Sequence, residues 1–114
     1  MDAKLIMGMF PRDRLTAVEK ALREVGVERV NISKVRGYGE HPDYFAPDWM
    51  VEEVMVECVT RADEVDTVTA AIMTAAHTGE PGDGVVAVLP IEKLYLIRTR
   101  AEATTEEFWP KRVR

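Results

Sequence analysis

Residues 63–89, DEVDTVTAAIMTAAHTGEPGDGVVAVL, carry a helix pattern, a glycine-rich turn and a strand pattern in immediate succession. Apolar residues recur at the spacing of one helical face, at Val65, Val68, Ile72 and Ala75. The glycines and the proline between residues 79 and 84 end the helix. The β-branched run at residues 85–89 is typical of a buried strand.

The first part of the chain shows the same order of elements. Residues 3–10, AKLIMGMF, are mostly apolar and stop at Pro11, which indicates a buried strand. A helical stripe follows at Leu15, Val18, Leu22 and Val25, and Gly26 is a natural helix stop. Alternating patterns predict further strands at residues 29–38 and 51–59.

One more strand is predicted at residues 94–98, so the order is strand-helix-strand, loop, strand-helix-strand and an extra strand. Two matching halves indicate an α+β, ferredoxin-like βαββαβ sandwich, with an antiparallel sheet and both helices on one face. The other face keeps apolar residues, and no third long helix is predicted to cover it. We therefore expect a homo-oligomer that packs this face.

Composition limits the class of protein. The chain has 114 residues, of which 46% are hydrophobic, so we expect residues 1–114 to form a single domain. Fifteen basic and twenty acidic residues give a net charge of −5, which argues against nucleic-acid binding. There is no apolar run of about 20 residues and no leader pattern. Cys58 is the single cysteine, so we expect a soluble, cytoplasmic protein without membrane insertion.

The turn TGEPGDG at residues 78–84 has the clearest chemical content. Its glycines let successive amides point into one anion-binding concavity, although a tight helix-exit turn is the alternative. It is not a P-loop, because no Gly-Lys-Ser/Thr follows. Arg98 is a candidate phosphate ligand or a surface ion-pair partner. The turn from Gly37 to Gly39 is a phosphate-approach turn or a loop hinge.

Together these segments resemble the P-II nitrogen-regulatory signal-transduction family. The resemblance rests on TGEPGDG followed by VVAVLPIEKLYLIRT, on the helix ADEVDTVTAAIMTAAHTG, and on NISKVRGYG and ALREVGV. It covers residues 3–99. It implies a non-enzymatic homotrimer that binds ADP, AMP or ATP between subunits, without a catalytic cofactor. It also implies a mobile loop, at residues 39–50 here, that presents itself to a transporter, an enzyme or a regulator.

The resemblance assigns two sets of residues by position. The nucleotide-binding set is Asn31, Gly37, Gly39, Val59, Thr78, Gly79, Gly82, Asp83, Gly84, Val85 and Arg98. In this set the amides of residues 82–84 and Arg98 would meet the phosphates, and Asn31 and Val59 would face the adenine. The partner-binding loop set is Glu40, His41, Tyr44, Phe45 and Trp49.

Five residues stand where the family usually has a basic residue or an Arg-Gln pair. They are Val85 after Gly-Asp-Gly, Leu96 in the last strand, the Glu40-His41 pair, and Glu53. Each lost charge-assisted contact costs about 1.5–3 kcal/mol, mainly at the outer phosphates. We therefore expect ADP or AMP to bind at least as well as ATP and the response to ATP, magnesium and 2-oxoglutarate to be weak. The alternative is that this nucleotide site has lost its function and binds nucleotides poorly.

The 39–50 loop also departs from the family, since it is shorter and lacks the uridylylation-site tyrosine in a matching context. Residues 40–57 carry six acidic residues and no lysine or arginine, which favours a basic partner surface or a cation, or simply a solvated loop. Short-loop branches of the family are linked to inorganic-carbon transport, so bicarbonate is a candidate co-ligand. The tail at residues 100–114 lies outside the resemblance, and we expect its Phe108 and Trp109 to dock on a neighbouring subunit.

The residues are also compatible with two other functional classes. A divalent-metal-binding trimer of the cation-tolerance type is supported by the acidic loop and His41, and a ligand-free interaction scaffold needs no site. An enzyme is not expected, because the histidines and Cys58 lack metal-ligand spacing and no catalytic residue or metal ligand is assigned. His77 is interpreted as a helix-end residue and Cys58 as a small core residue.

Overall fold

The protein was analysed as a computed structural model that describes residues 2–37 and 50–109. Its elements are β1 (Ala3–Pro11), α1 (Leu15–Glu24), β2 (Asn31–Gly37), β3 (Val51–Arg61), α2 (Val65–Ala76), β4 (Val85–Pro90), β5 (Tyr95–Leu96), β6 (Ala101–Glu102) and α3 (Thr105–Phe108). Single 3-10 turns at Arg12–Arg14 and Ala62–Glu64 lead into α1 and α2. The predicted helices and the first four strands are therefore present, with small shifts at their ends.

Four strands form one antiparallel sheet in the order β2-β3-β1-β4. The central strand β1 sets Ile6 opposite Cys58 of β3 on one side and opposite Val88 of β4 on the other. The edge strand β2 sets Ile32 opposite Val56 of β3. Strands β1 and β2 are consecutive but have β3 between them, which is the split βαβ arrangement. The ferredoxin-like prediction is confirmed.

The main core lies between the sheet and the two long helices. Alternate residues of the central strands and one stripe of each helix point into it; the buried set includes Ile6, Phe10, Val18, Leu22, Val54, Val56, Val68 and Ile72. Gly8 lets α2 approach the sheet closely, because a Cβ there would lie 3.3 Å from Cγ2 of Ile72 and 3.3 Å from Cγ2 of Val56.

The opposite side of the sheet, which we call the outer face, is only partly covered. At one end, the β5–β6 hairpin and α3 bury a small cluster of Ala3, Ala103 and Phe108. Away from this cluster the outer face stays apolar, with Val85 57% exposed and Leu89 40% exposed. The remaining surface is what a second copy of the chain would cover in the expected homo-oligomer.

The strand predicted at residues 94–98 is wrong at its carboxyl end. β5 stops at Leu96, and residues 97–100 turn back into β6. Arg100 has a φ of 56°, and its N–H donates to the Leu96 carbonyl at 2.9 Å, which closes the turn. Arg98 therefore lies in an exposed hairpin turn and not at the end of a strand.

The interpretation of Cys58 as a core residue is confirmed. Its side chain is buried among the helix-side core residues, and this burial raises the pKa of the thiol to about 11. The thiol is therefore protonated at neutral pH, and the reactive thiolate is scarce.

Phe10 is the largest side chain in the main core, so its truncation tests the packing. Phe10→Ala should lower the free energy of unfolding by about 3–5 kcal/mol, because it removes buried apolar surface and leaves a cavity. The exposed Lys20→Ala on α1 should change it by less than about 0.5 kcal/mol. Urea unfolding followed by circular dichroism measures both, and equal effects would contradict this description of the core.

Candidate functional site

The loop at residues 78–84 folds around the carboxylate of Asp83. Its Oδ2 accepts the backbone N–H of Thr78 at 3.0 Å and that of Gly79 at 2.9 Å, and its Oδ1 accepts the Thr78 hydroxyl. The Thr78 Oγ1 in turn accepts the N–H of Glu80 at 3.1 Å. The carboxylate thus ties the beginning of the loop to its end, directly after α2.

These contacts keep Asp83 charged. The hydrogen bonds from the Thr78 side chain and backbone, then the Gly79 N–H and the neighbouring His77, lower the pKa of the carboxyl to about 2, against some desolvation. His77 Nδ1 lies 3.7 Å from Oδ2. The side chain of Asp83 is therefore directed at its own loop.

Gly84 is the residue that fixes the loop against the sheet. Its φ is 108°, and a Cβ at this position would lie 1.8 Å from the carbonyl oxygen of Met9 in β1. Only glycine satisfies both conditions. The end of the loop is therefore held in contact with the backbone of the central strand.

The backbone at the end of this loop has the geometry of a glycine turn. Residues 81–82 form a hydrogen-bonded turn, and Gly79, Gly82 and Gly84 all have positive φ. Backbone of this kind can point successive N–H groups into an anion-binding concavity. Beside this turn, a cavity of about 240 Å³ is lined by His77, Asp83 and Val85 among others.

The structure places the other predicted contacts elsewhere on the chain. Asn31 and Val59 line a separate cavity of about 300 Å³ on the outer face. Gly37 ends β2. Two strands, β3 and β1, lie between β2 and β4, so β2 and β4 are about 14 Å apart at the usual strand spacing. One chain therefore holds the predicted nucleotide contacts in separate groups. Gly39 and the predicted partner-loop residues Glu40, His41, Tyr44, Phe45 and Trp49 lie outside the described residues.

Arg98 lies near α3. The pKa of Glu107 is lowered by hydrogen bonds from the backbone and hydroxyl of Thr104 and, to a smaller extent, by the charge of Arg98. Glu107 and Thr104 form a capping box, in which the Thr104 N–H donates to Glu107 Oε1 at 2.8 Å. The predicted phosphate ligand thus has a carboxylate in its surroundings.

Sequence reasoning missed the contribution of α3 to the outer-face cavity, which Phe108 and Trp109 line. Phe108 is buried with Ala3 and Ala103 of its own chain, whereas the docking of the half-buried Trp109 on a neighbouring subunit stays a prediction. The Thr104-x-x-Glu107 spacing is a capping-box signal that marks the start of α3 in the sequence. The contact of α3 with β1 has no local signal.

Within residues 2–37 and 50–109, no three histidine, cysteine or carboxylate side chains come together as a metal site. None of the helices in these ranges combines the length and apolar character that crossing a bilayer requires.

A family model for the nitrogen regulatory protein P-II matches residues 3–101. The chain belongs to the P-II family. It is 38% identical over 104 residues to the nitrogen regulatory protein GlnK2 of Haloferax mediterranei, covering 84% of each chain. It is 34% identical over 103 residues to the nitrogen regulatory protein P-II of Azospirillum brasilense, covering 84% of this chain and 92% of that protein.

The same relationship holds in three dimensions. A crystal structure of Arabidopsis thaliana PII bound to citrate aligns with a TM-score of 0.78 and 30% identity, over 93% of this chain and 90% of that one. As a P-II protein, the chain is a regulatory signal-transduction protein of nitrogen metabolism and not an enzyme. The resemblance noted in the sequence is confirmed.

The hydrogen bonds to Asp83 can be tested by titration. Because its folded pKa of about 2 lies below the ordinary 3.8, the carboxylate stabilises the fold above pH 3.8, and this stabilisation is lost as the pH falls through 2. NMR should show the Asp83 carboxyl titrating near 2, and Thr78→Ala should move the midpoint toward 3.8. Thr74→Ala, an exposed change on α2, should leave it in place; an unshifted midpoint in Thr78→Ala would refute the proposed cause.

The fit of Gly84 against β1 predicts a large effect of a single methyl group. Gly84→Ala should lower the free energy of unfolding by more than about 2 kcal/mol, because a positive φ and a backbone clash both oppose the side chain. Gly37→Ala is the control, since nothing lies within 4 Å of a Cβ there, and it should stay within about 0.5 kcal/mol. Chemical denaturation of both variants measures the difference, and equal stabilities would show that the loop tolerates a side chain at residue 84.

Proposed function

We propose that this P-II protein is a homotrimer that binds adenine nucleotides between its subunits, ADP or AMP at least as well as ATP. In this proposal it acts in the cytoplasm and signals energy or nutrient status to a partner protein through the 39–50 loop. The observation that carries the proposal is the glycine-rich loop at residues 78–84, which the Asp83 carboxylate closes on itself and Gly84 holds against β1. A glycine-rich backbone of this kind favours an anionic phosphate as its ligand.

A site between subunits follows from the separation of the predicted contacts. The amides of residues 82–84 lie at the β4 edge of the sheet, and the cavity with Asn31 and Val59 lies on the outer face. A second copy packed on the apolar outer face would bring the loop of one chain to the cavity of another. In a closed ring of three chains, each chain would make this contact with its neighbour, so that no apolar outer face stays unpaired.

The preference for fewer phosphates rests on charge. At the exit of the loop stands the apolar Val85, and the apolar Leu96 lines the outer-face cavity. Arg98 has Glu107 in its surroundings. Backbone amides can hold one or two phosphate groups, whereas a third brings negative charge that no nearby cation of the loop offsets. ATP should therefore gain little over ADP.

Signalling would start at Gly37, the last residue of β2, where the chain leaves the sheet toward the 39–50 loop. A nucleotide changes the population of loop states only through its different affinity for them. The partner would be a transporter or an enzyme of nitrogen or inorganic-carbon metabolism, with bicarbonate as a candidate co-ligand. The acidic residues at 40–57 favour a basic partner surface.

Calorimetric titration of the purified protein with ADP, AMP and ATP at matched magnesium tests this function. We expect one site per subunit and ADP or AMP equal to or tighter than ATP. Gly84→Ala, provided that it stays folded, should weaken all three, because it displaces the amides from their place beside β1.

Light scattering of the same samples should give the mass of a trimer. ATP binding tenfold or more tightly than ADP would mean that other residues replace the missing charges. Absence of heat from all three nucleotides would contradict the nucleotide proposal and favour a ligand-free scaffold. Stabilisation by divalent metal alone would favour the cation-binding alternative.

A further inference from the structure

The outer-face cavity is built from the sheet and from the carboxyl-terminal part of the described chain. Its floor is the sheet, with Leu5 of β1 and Val59 of β3, and one side is the connection of α1 to β2 with Asn31. The other side is Leu96 together with Phe108 and Trp109. The family match ends at residue 101, so Phe108 and Trp109, which we call the aromatic wall, lie outside the segment that the family model describes.

The aromatic wall is held in place by hydrogen bonds and by packing against the sheet. The Ala103 N–H donates to the Leu94 carbonyl at 2.8 Å, and the capping box of Thr104 and Glu107 begins α3. Phe108 is only 9% exposed and packs with Ala3 and Ala103. Trp109 closes the helix with a hydrogen bond from its N–H to the Thr105 carbonyl at 2.7 Å. Phe108 thus anchors α3, while the half-buried Trp109 is available to the cavity.

The lining of the cavity suits a flat heteroaromatic group. Apolar side chains and an indole ring supply surfaces on which a ring stacks. Asn31, Glu57, Glu28 and Arg29 supply hydrogen-bonding groups at its edge. A volume of about 300 Å³ lies at the lower end of the range of small-molecule sites. A nucleobase has this combination of flat faces and polar edge.

We propose that Trp109 stacks on the purine base of the bound nucleotide, which makes α3 a specificity element of the nucleotide site in this chain. This inference rests on the proposed function and names a residue for it. Stacking on a rigidly held indole adds affinity for the base without adding positive charge. It therefore compensates for the apolar Val85 and Leu96, which offer nothing to the outer phosphates.

Fluorescence gives a direct test, because the chain has two tryptophans. In a Trp49→Phe background, Trp109 is the sole indole, and all affinities are compared within that background. Titration with adenosine and with ADP should quench its emission to saturation, at the midpoint that calorimetry gives. Ribose 5-phosphate, which has no base, should leave the emission unchanged.

Three variants separate stacking from a structural role of α3. Trp109→Ala should weaken ADP binding about tenfold or more. Trp109→Phe, which keeps an aromatic face, should recover most of the affinity. Glu106→Ala, an exposed change on the same short helix, should bind ADP as the parent protein does. Circular dichroism and thermal unfolding confirm that each variant is folded.

The outcomes separate this inference from the proposed function. If the parent protein binds ADP and Trp109→Ala binds it equally well, stacking is refuted and the nucleotide function stands. If Trp109→Ala and Trp109→Phe lose affinity equally and no quenching occurs, α3 serves only as support, which also overturns stacking. If the parent protein binds no adenine nucleotide, the proposed function fails, and this inference fails with it.

Discussion

The central position of β1 is the constraint on which the rest of the structure depends. This strand is hydrogen-bonded on both edges, to β3 and to β4. Its Gly8 lets α2 pack closely on the sheet, and the carbonyl of its Met9 lies where a side chain at Gly84 would have to go. Its Ala3 lies beneath Phe108 of α3. One strand therefore supports the main core, the loop at residues 78–84 and the aromatic wall, so an error in its register would displace all three.

The loop at residues 78–84 is ordered by a charged side chain of its own. The Asp83 carboxylate accepts the N–H groups of Thr78 and Gly79 at the beginning of the loop. This satisfies backbone donors that follow the end of α2. Gly84 then fixes the other end of the loop against β1, where a Cβ would meet the Met9 carbonyl.

The outer face connects stability with assembly. The hairpin and α3 cover one end of it, and the apolar remainder with Val85 and Leu89 stays exposed in one chain. A single copy therefore leaves both its sheet and its predicted nucleotide contacts incomplete. Association on that face would complete the burial and bring the separate groups of contacts together, because both depend on the same surface.

The sequence by itself determined the α+β architecture, the two long helices, the position of the loop at residues 78–84 and membership of the P-II family. It could do so because periodic apolar patterns and short motifs are local properties. The tertiary structure alone decided that the Asp83 side chain turns into its own loop, that Arg98 lies in a hairpin turn and that Phe108 packs on Ala3. These outcomes depend on contacts between residues that are brought together by folding, above all between the two ends of the chain. No periodicity encodes such contacts, since their free energy depends on the packed surfaces and not on the spacing of residues.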